Sequence, residues 1–327
     1  HHTPAGPPPP ALHPVLERHL RAPSGVVDLI AADGSLWVSG FRAVTRIDQA
    51  SGRIRARITI APLGDLSQMA AAFGSIWITT TRGGSVYRID PTTDRVAAVI
   101  HAGGPTLGIA AGAGRIWVTR PSETRGDVLQ IDPRTNRVVG SPIRVGPGPG
   151  QLAYGSGSLW VEDTAPLAVM RIDPASWRAT PPSGRATTPA GLATALSASR
   201  AGAIAPGYGS LYITANDHLT RFDPATNRVT ANVRIPRANA IAIGAGAIWV
   251  LAAPRSTSSI TFHPVKNTAA LWAIDPRTNE TVATPIRLKH ADDPIALAVA
   301  GNRVWVGDYA NTVIEFRLTP GASRRRR

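Results

Sequence analysis

Short apolar runs alternate with polar turns along nearly the whole chain, in a unit of four runs that returns about every forty residues. The clearest copy covers residues 113–138 and reads AGRIWVTR, a variable hairpin, then VLQIDPRTNRV. The aromatic residue of its I-W-V triplet recurs at Trp37, Trp77, Trp117, Trp160, Tyr212, Trp249 and Trp305, and the first spacings are 40, 40 and 43 residues. Four strand-like runs in a period near forty are typical of a propeller blade. The pattern therefore predicts an all-β, seven-bladed propeller of four-stranded antiparallel blades.

Each part of the unit predicts one element of a blade. An apolar first strand leads through a glycine turn to the I-W-V strand, and the third strand ends in I-D-P. In the turn D-P-x-T-N-R, proline presets φ, asparagine takes a left-handed conformation, and the aspartate accepts backbone N–H bonds. An arginine recurs at one position of the third strand, and we expect it to bond between blades. Its copies are Arg46, Arg88, Arg171 and Arg221.

The two ends of the chain predict how the ring closes. The last unit supplies only three strands, at residues 295–299, 303–306 and 312–317. The stretch that begins at Val15 aligns with the outermost strand of a blade, so this N-terminal strand is expected to complete the last blade and remove the exposed edges of the ring. We expect a Pro-rich disordered linker at residues 1–12, the propeller at residues 13–319, and an Arg-rich tail at residues 320–327.

Composition excludes several classes of site. The chain has no cysteine, which rules out disulfides, thiol nucleophiles and thiolate metal sites. The formal net charge is +14, and the only lysines are Lys266 and Lys289, so arginine carries the charge. Such a surface attracts anions without specifying them, and we expect no specific nucleic-acid partner. The chain opens on His1 and His2, either a tag remnant or native residues, and we expect a fragment with an upstream membrane anchor or domain.

Two insertions break the period, at residues 180–200 and 253–268. In a propeller, the connection between blades and the hairpin between second and third strands emerge on the same face. Both insertions are therefore expected on one face, the predicted binding face. The third residue after each aromatic should reach the upper mouth of the central funnel there, and three of these residues are charged: Arg120, Asp163 and Asp308. The alternative is that these charged residues are ordinary solvent-exposed side chains at hairpin tips, with no ligand.

Further candidates lie on the same predicted face. Arg42, Arg82, Arg120, Arg125 and Arg255 fall in hairpins or the second insertion, where they could form a positive rim. Near the last blade, His290, Asp292, Asp293 and Asp308 could converge on a hard cation, although an exposed acidic loop is the simpler explanation. The predicted ligand-binding set is Arg42, Arg82, Arg120, Asp163, His290, Asp293 and Asp308.

The runs GAGRIWVTR and VLQIDPRTNRVVGSPI resemble YVTN-type propeller repeats and the blades of the virginiamycin B lyase-like family. The resemblance covers residues 15–318 and implies the seven-bladed fold. It also implies an elimination that uses a histidine base, nearby carboxylates and Mg²⁺. The family's histidines would fall at Asn239 and Ile295, which cannot act as a base, whereas Asp293 and Asp308 lie where family carboxylates are expected.

Together these patterns favour a non-enzymatic binding or sensing domain, extracytoplasmic in a bacterium, that acts through the insertion-bearing face. We expect a monomer with no catalytic residue, no cofactor and no metal, and an anionic ligand or protein as partner. The alternative is a metal-assisted lyase or hydrolase with an altered active site, for which Mg²⁺ or another divalent ion would be needed. A purely structural module is a third possibility.

Overall fold

The structure, a computed structural model, describes residues 12–23, 25–60, 66–164, 167–174, 201–215, 217–253, 268–289, 291 and 293–320. Its strands form seven antiparallel sheets arranged as the blades of a propeller. The predicted all-β, seven-bladed fold is confirmed. Within these ranges, no helix is long and apolar enough to cross a membrane.

The strands of the first three blades are as follows. Blade 1 contains β2 (Asp28–Ala32), β3 (Ser35–Ser39), β4 (Ala43–Asp48) and β5 (Ile54–Thr59). Blade 2 contains β6 (Leu66–Ala72), β7 (Ser75–Thr80), β8 (Ser85–Asp90) and β9 (Arg95–His101). Blade 3 contains β10 (Ile109–Gly112), β11 (Arg115–Arg120), β12 (Asp127–Asp132) and β13 (Arg137–Arg144).

The remaining blades repeat this order. Blade 4 has three strands in the described part of the chain, β14 (Pro149–Gly155), β15 (Ser158–Thr164) and β16 (Leu167–Ile172). Blade 5 contains β17 (Ala201–Gly207), β18 (Ser210–Ala215), β19 (His218–Asp223) and β20 (Arg228–Arg234). Blade 6 contains β21 (Ala238–Gly244), β22 (Ala247–Ala252), β23 (Ala270–Ile274) and β24 (Ile286–Arg287). Blade 7 contains β25 (Pro294–Ala300), β26 (Arg303–Asp308), β27 (Thr312–Pro320) and, as its outermost strand, β1 (Leu12–Arg21).

The ring closes as the sequence predicts. Strand β1 pairs antiparallel with β27, so that Leu12 faces Pro320 and Arg21 faces Thr312. The first strand of every blade contacts the first strand of the next, and β25 contacts β2. These seven first strands enclose a central space, here called the tunnel. Chain closure thus comes from pairing of the two terminal strands within one blade.

The second strand of each blade is the core of the fold. Strands β3, β7, β18 and β22 are buried along their whole length, because each lies between two other strands and between two neighbouring blades. The aromatic residues pack across the blade boundary: Trp37 joins Ile76 and Ile78 of blade 2 in one apolar cluster, and Trp77 joins Ile116 and Val118 of blade 3 in another. Burial of these rings therefore holds adjacent blades together.

Turn chemistry also follows the prediction. In six of the seven blades, the turn between first and second strands places two successive residues at positive φ, for example Ala113 at 50° and Gly114 at 72°, as a tight hairpin requires. In the turn after the third strand, the carboxylate of Asp132 accepts the backbone N–H of Arg134 at 2.8 Å. Asn136 adopts a φ of 56° there. Equivalent carboxylate bonds in the other described turns confirm that these aspartates are structural.

The repeated third-strand arginines join neighbouring blades. The Arg88 guanidinium lies over the ring of Trp77, with 5.2 Å to its centroid, and bonds Ser75 within its own blade at 2.9 Å. It also donates to the Pro133 carbonyl and the Asn136 amide oxygen of the next blade, both at 3.0 Å. Arg46, Arg171 and Arg221 make the same set of contacts. Their predicted structural role is confirmed.

Candidate functional site

The upper face of the propeller carries the hairpins between second and third strands and the connections between blades. Three of its arginines, Arg42, Arg82 and Arg125, are exposed in the hairpins of blades 1, 2 and 3. Three successive blades therefore each present an arginine in the same hairpin of the upper face. This set is here called the arginine arc. Arg255 and the greater part of both insertions lie outside the described residues.

An open cleft of about 630 Å³ lies at the blade 3 end of this arc. Its walls are the connection at Gly103–Pro105 and the hairpin at Pro121–Arg125, with Arg120 and Asp127 between them. The cleft thus combines an exposed cation, Arg125, with the exposed carboxylate of Glu123. It is wide enough for a side chain or a small polar group of a partner.

Arg120 is fixed as a wall of the cleft. Its Nε and Nη2 donate to the two oxygens of Asp127 at 2.9 and 2.7 Å, and Nη1 donates to the Ala102 carbonyl at 2.7 Å. The hydrogen bonds from Asp127 raise the pKa of Arg120, and partial burial opposes them. A side chain at Gly104 would meet Arg120, since its Cβ would lie 3.2 Å from the arginine Cδ. Arg120 therefore joins the hairpin to the connection between blades 2 and 3.

Asp163 and Asp308 occupy the position equivalent to Arg120 in blades 4 and 7. Both are buried, with exposed fractions of 1% and 2%. Oδ1 of Asp163 accepts the N–H of Gly148 at 3.1 Å. Oδ1 of Asp308 accepts the N–H groups of Asp293 and Ala310 at 3.1 and 3.2 Å. Arg120, Asp163 and Asp308 therefore share one feature. Each side chain is hydrogen-bonded to the backbone of the connection that leads into the first strand of its own blade.

Asp293 is half-buried next to Asp308. Burial, and secondarily the negative charge of Asp308, raises the pKa of Asp293. His290 and Asp292, the other members of the predicted cluster, lie outside the described residues. Among the residues that are described, no three His, Cys, Asp or Glu side chains come together at metal-binding distance.

The positions of the expected family histidines lie at β-bulges. Pairing shifts register between Ala238 and Ala240 around Asn239, and between Pro294 and Ala296 around Ile295. Asn239 is buried, and its Nδ2 donates to the Ala253 carbonyl at 3.3 Å. Neither an amide nor an alkyl side chain can remove a proton from carbon.

One carboxylate at the tunnel was not predicted from the sequence. Asp28, at the start of β2, accepts the N–H of Leu29 at 2.9 Å and that of Met69 in the next blade at 2.8 Å. Burial raises the pKa of Asp28 to about 6, against the lowering effect of these two bonds. Gln151 bridges blades 4 and 5 in a similar way, through Gly202 and Ile204. A polar residue at the start of an otherwise apolar first strand is the signal that could have identified both.

Comparison with known proteins supports the fold. The sequence matches no protein-family model and no curated protein. The structure is similar to virginiamycin B lyase from Staphylococcus aureus, with 17% identity, a TM-score of 0.70, and coverage of 92% of this chain and 99% of the lyase. It is also similar to Kuenenia stuttgartiensis hydrazine synthase, with 12% identity, a TM-score of 0.69, and coverage of 91% and 97%.

A third similar structure is the extracellular domain of the one-component system BT4673 of B. thetaiotaomicron. The identity is 14% and the TM-score 0.62, and the match covers 90% of this chain and 40% of that one. Identities this low relate proteins through their fold alone. This chain is thus a seven-bladed β-propeller that shares the architecture of virginiamycin B lyase.

Proposed function

We propose that this propeller is a non-catalytic binding domain that holds an acidic partner on its upper face. The observation that carries the proposal is the arginine arc, Arg42, Arg82 and Arg125, which is exposed on three successive blades. Guanidinium groups bind carboxylates and phosphates through paired hydrogen bonds. The cleft beside Arg125 provides a recess in which such a group can be held.

Electrostatics favour the same surface. Among the described side chains that line the cleft, Arg120 and Asp127 form an ion pair at 2.7 Å and largely offset each other's charge. The two remaining charges of the cleft, Arg125 and the exposed Glu123, also balance in number, but Arg125 makes no ion pair with any described residue and can bind a partner's anionic group. The net charge of +14 adds long-range attraction for acidic molecules.

Binding of fluorescent poly-L-glutamate, measured by anisotropy at several salt concentrations, tests the proposal. We expect the affinity to fall as salt rises, and Arg125→Ala and Arg82→Ala each to weaken binding by about twofold to fivefold. The matched control is Arg137→Ala, which removes an exposed arginine from the outer strand of blade 3. Binding that falls equally in all three variants would show attraction by bulk charge alone and would overturn the proposal.

We place this binding domain outside the cytoplasm, in a sensing or partner-recognition role. The similar extracellular domain of a one-component system supports that location. Fractionation of the native organism should recover the protein in the periplasmic, secreted or membrane-associated fraction. Recovery in the cytosolic fraction would contradict the location without affecting the poly-L-glutamate result.

A metal-assisted lyase or hydrolase is the second candidate, favoured by the closeness of Asp293 and Asp308 and by the raised pKa of Asp293. The described residues fit Mg²⁺ incompletely, because Oδ1 of Asp308 already accepts two backbone N–H groups. Calorimetric titration with Mg²⁺ tests this candidate. Binding that is lost in Asp293→Asn and retained in the exposed control Asp33→Asn would favour it over the binding domain.

A further inference from the structure

A series of hydroxyl groups crosses the blade boundaries next to the tunnel. In blades 1 to 3, the residue two positions after the tryptophan donates to a carbonyl on or leading into the first strand of the next blade. Ser39 bonds the Ser67 carbonyl at 3.1 Å, Thr79 bonds Leu107 at 2.6 Å, and Thr119 bonds Gly150 at 2.8 Å. In blade 5 the same position is Thr214, and the facing residue of blade 6 is Asn239.

Among the four blades that carry a hydroxyl at this position, blade 5 differs from blades 1 to 3. Oγ1 of Thr214 and Oδ1 of Asn239 are buried and have no hydrogen-bond partner in the described part of the chain. Thr214 is 0% exposed and Asn239 is 9% exposed. A buried polar atom without a partner lowers stability. Two such atoms at neighbouring positions therefore require an explanation.

Both atoms belong to one small region of the inner wall. Gly202 of β17 lies beside both residues, since a Cβ there would be 2.8 Å from Thr214 Oγ1 and 3.3 Å from the Asn239 Cα. Asn239 is the extra residue of a bulge, and bulges redirect a side chain out of the regular pleat. Its Nδ2 is already bonded to the Ala253 carbonyl. This bond fixes the amide so that Oδ1 is the atom left to accept.

We propose that Thr214 and Asn239 form a binding site for a neutral polar group, an amide or an alcohol, at the tunnel wall between blades 5 and 6. The group would donate an N–H or O–H to Asn239 Oδ1 and share a second hydrogen bond with Thr214 Oγ1. Both protein groups are neutral, and a buried charge without a counter-charge is costly, so a neutral ligand fits better than an ion. This site lies apart from the arginine arc and does not depend on it.

The first half of the test concerns stability. Thr119→Val removes a hydroxyl that accepts from Gly108 at 2.7 Å and donates to Gly150 at 2.8 Å, so it should lower Tm by several degrees. Thr214→Val is the same isosteric change at a hydroxyl without a partner, so it should leave Tm unchanged or raise it. An equal loss of Tm in both variants would show that the Thr214 hydroxyl is bonded within the protein, and would overturn the proposal.

The second half of the test measures ligand binding. Acetamide and ethylene glycol, as probes with N–H and O–H donors, are titrated against the full chain by ligand-observed NMR. At least one should bind the wild type and bind Thr119→Val equally well, but bind Thr214→Val and Asn239→Ala at least tenfold more weakly. Failure of both probes to bind the wild type, unchanged binding in the two site variants, or a lone water at the site in probe-soaked crystals would each overturn the proposal.

Discussion

Arg18 and Glu315 join the two ends of the chain through a two-pronged ion pair, with Nε–Oε2 at 2.8 Å and Nη2–Oε1 at 3.2 Å. Arg18 Nη2 also donates to the Gln49 carbonyl of blade 1 at 2.8 Å. Gln49 directly follows the turn aspartate of blade 1. Pro91 directly follows the equivalent aspartate of blade 2, and its carbonyl accepts a hydrogen bond from Arg46. In blade 7, Glu315 occupies the third-strand position that holds an arginine in blades 1, 2, 4 and 5. Arg18 of the N-terminal strand therefore supplies the arginine that the third strand of blade 7 lacks.

Removal of this arginine should weaken ring closure. Glu315 has a fully buried side chain, and Arg18→Ala would leave it with Arg303 as its ion-pair partner. We expect a loss of about 1–3 kcal/mol in the free energy of unfolding, measured with urea. The control is Arg55→Ala, which breaks the ion pair of a half-exposed arginine with Asp48 and should leave stability close to wild type. Equal losses in both variants would contradict a closing role for Arg18.

The left-handed turn residue allows backbone strain and hydrogen bonding to be separated. Asn136 has a φ of 56° and accepts a bond from Arg88. Asn136→Gly loses only that bond, at a cost of about 0.5–1.5 kcal/mol. Asn136→Ala loses the same bond but keeps a Cβ at a left-handed φ that alanine tolerates less well than asparagine, which should place it about 1 kcal/mol below the glycine variant. In urea unfolding, Asn136→Ala should therefore have a lower free energy of unfolding than Asn136→Gly. The reverse order would rule out backbone strain as the cause.

The repeat explains why the fold could be predicted from sequence. The third-strand arginines occur where the next blade's turn offers an aspartate or asparagine with positive φ, as in Arg46 with Asp94 and Arg221 with Asn279. The position holds Gln130 where the next turn carries Trp177, which lies outside the described residues. A contact that recurs at the same position in four blades can be recognised without coordinates. This regularity made the blade count, the strand order and the closure predictable.

The candidate site was less predictable because its contacts occur once. Arg120 was identified as a charged hairpin residue, but its partners Asp127 and Ala102 come from a different strand and a different blade connection. The bond between Asp28 and Met69 likewise crosses a blade boundary. No spacing in the sequence encodes these contacts, since hairpin lengths vary from blade to blade. The absence of hydrogen-bond partners for Thr214 Oγ1 and Asn239 Oδ1 is recognised only by comparison with the equivalent hydroxyls of blades 1 to 3, which are hydrogen-bonded.

Close packing of the inner strands gives a prediction about Gly112. A Cβ at this position would lie 2.0 Å from Cγ of Tyr154 in the next blade. Gly112→Ala should therefore cost about 1–3 kcal/mol through overpacking. Truncation of the partner makes room, so Gly112→Ala with Tyr154→Ala should lose less stability than the sum of the two single changes. Additive losses in this double-mutant cycle would show that the two side chains do not compete for the same space.

Asp28 gives a prediction about pH. Its pKa is about 6 in the folded protein and 3.8 in the unfolded chain, so the folded state binds the proton more tightly. The contribution of Asp28 is therefore fully present below about pH 3.8 and is lost as the pH rises through 6. The turn aspartates, such as Asp48 with a pKa lowered to about 2, act in the opposite direction. The stabilisation from Asp48 is present above pH 3.8 and is lost as the pH falls through about 2, so its effect and that of Asp28 separate along the pH axis.

Urea unfolding of wild type and Asp28→Asn at pH 4.5, 6 and 8 isolates the Asp28 contribution. Between pH 4.5 and 8, the wild type should lose about 1–2 kcal/mol relative to the variant, because only the wild type must ionise a partly buried carboxyl as the pH rises. The exposed control Asp33→Asn should follow the wild-type curve. Parallel curves of unfolding free energy against pH for wild type and Asp28→Asn would show that the Asp28 carboxyl has the same pKa in the folded and unfolded states. The carboxyl would then be in contact with bulk water at the tunnel wall.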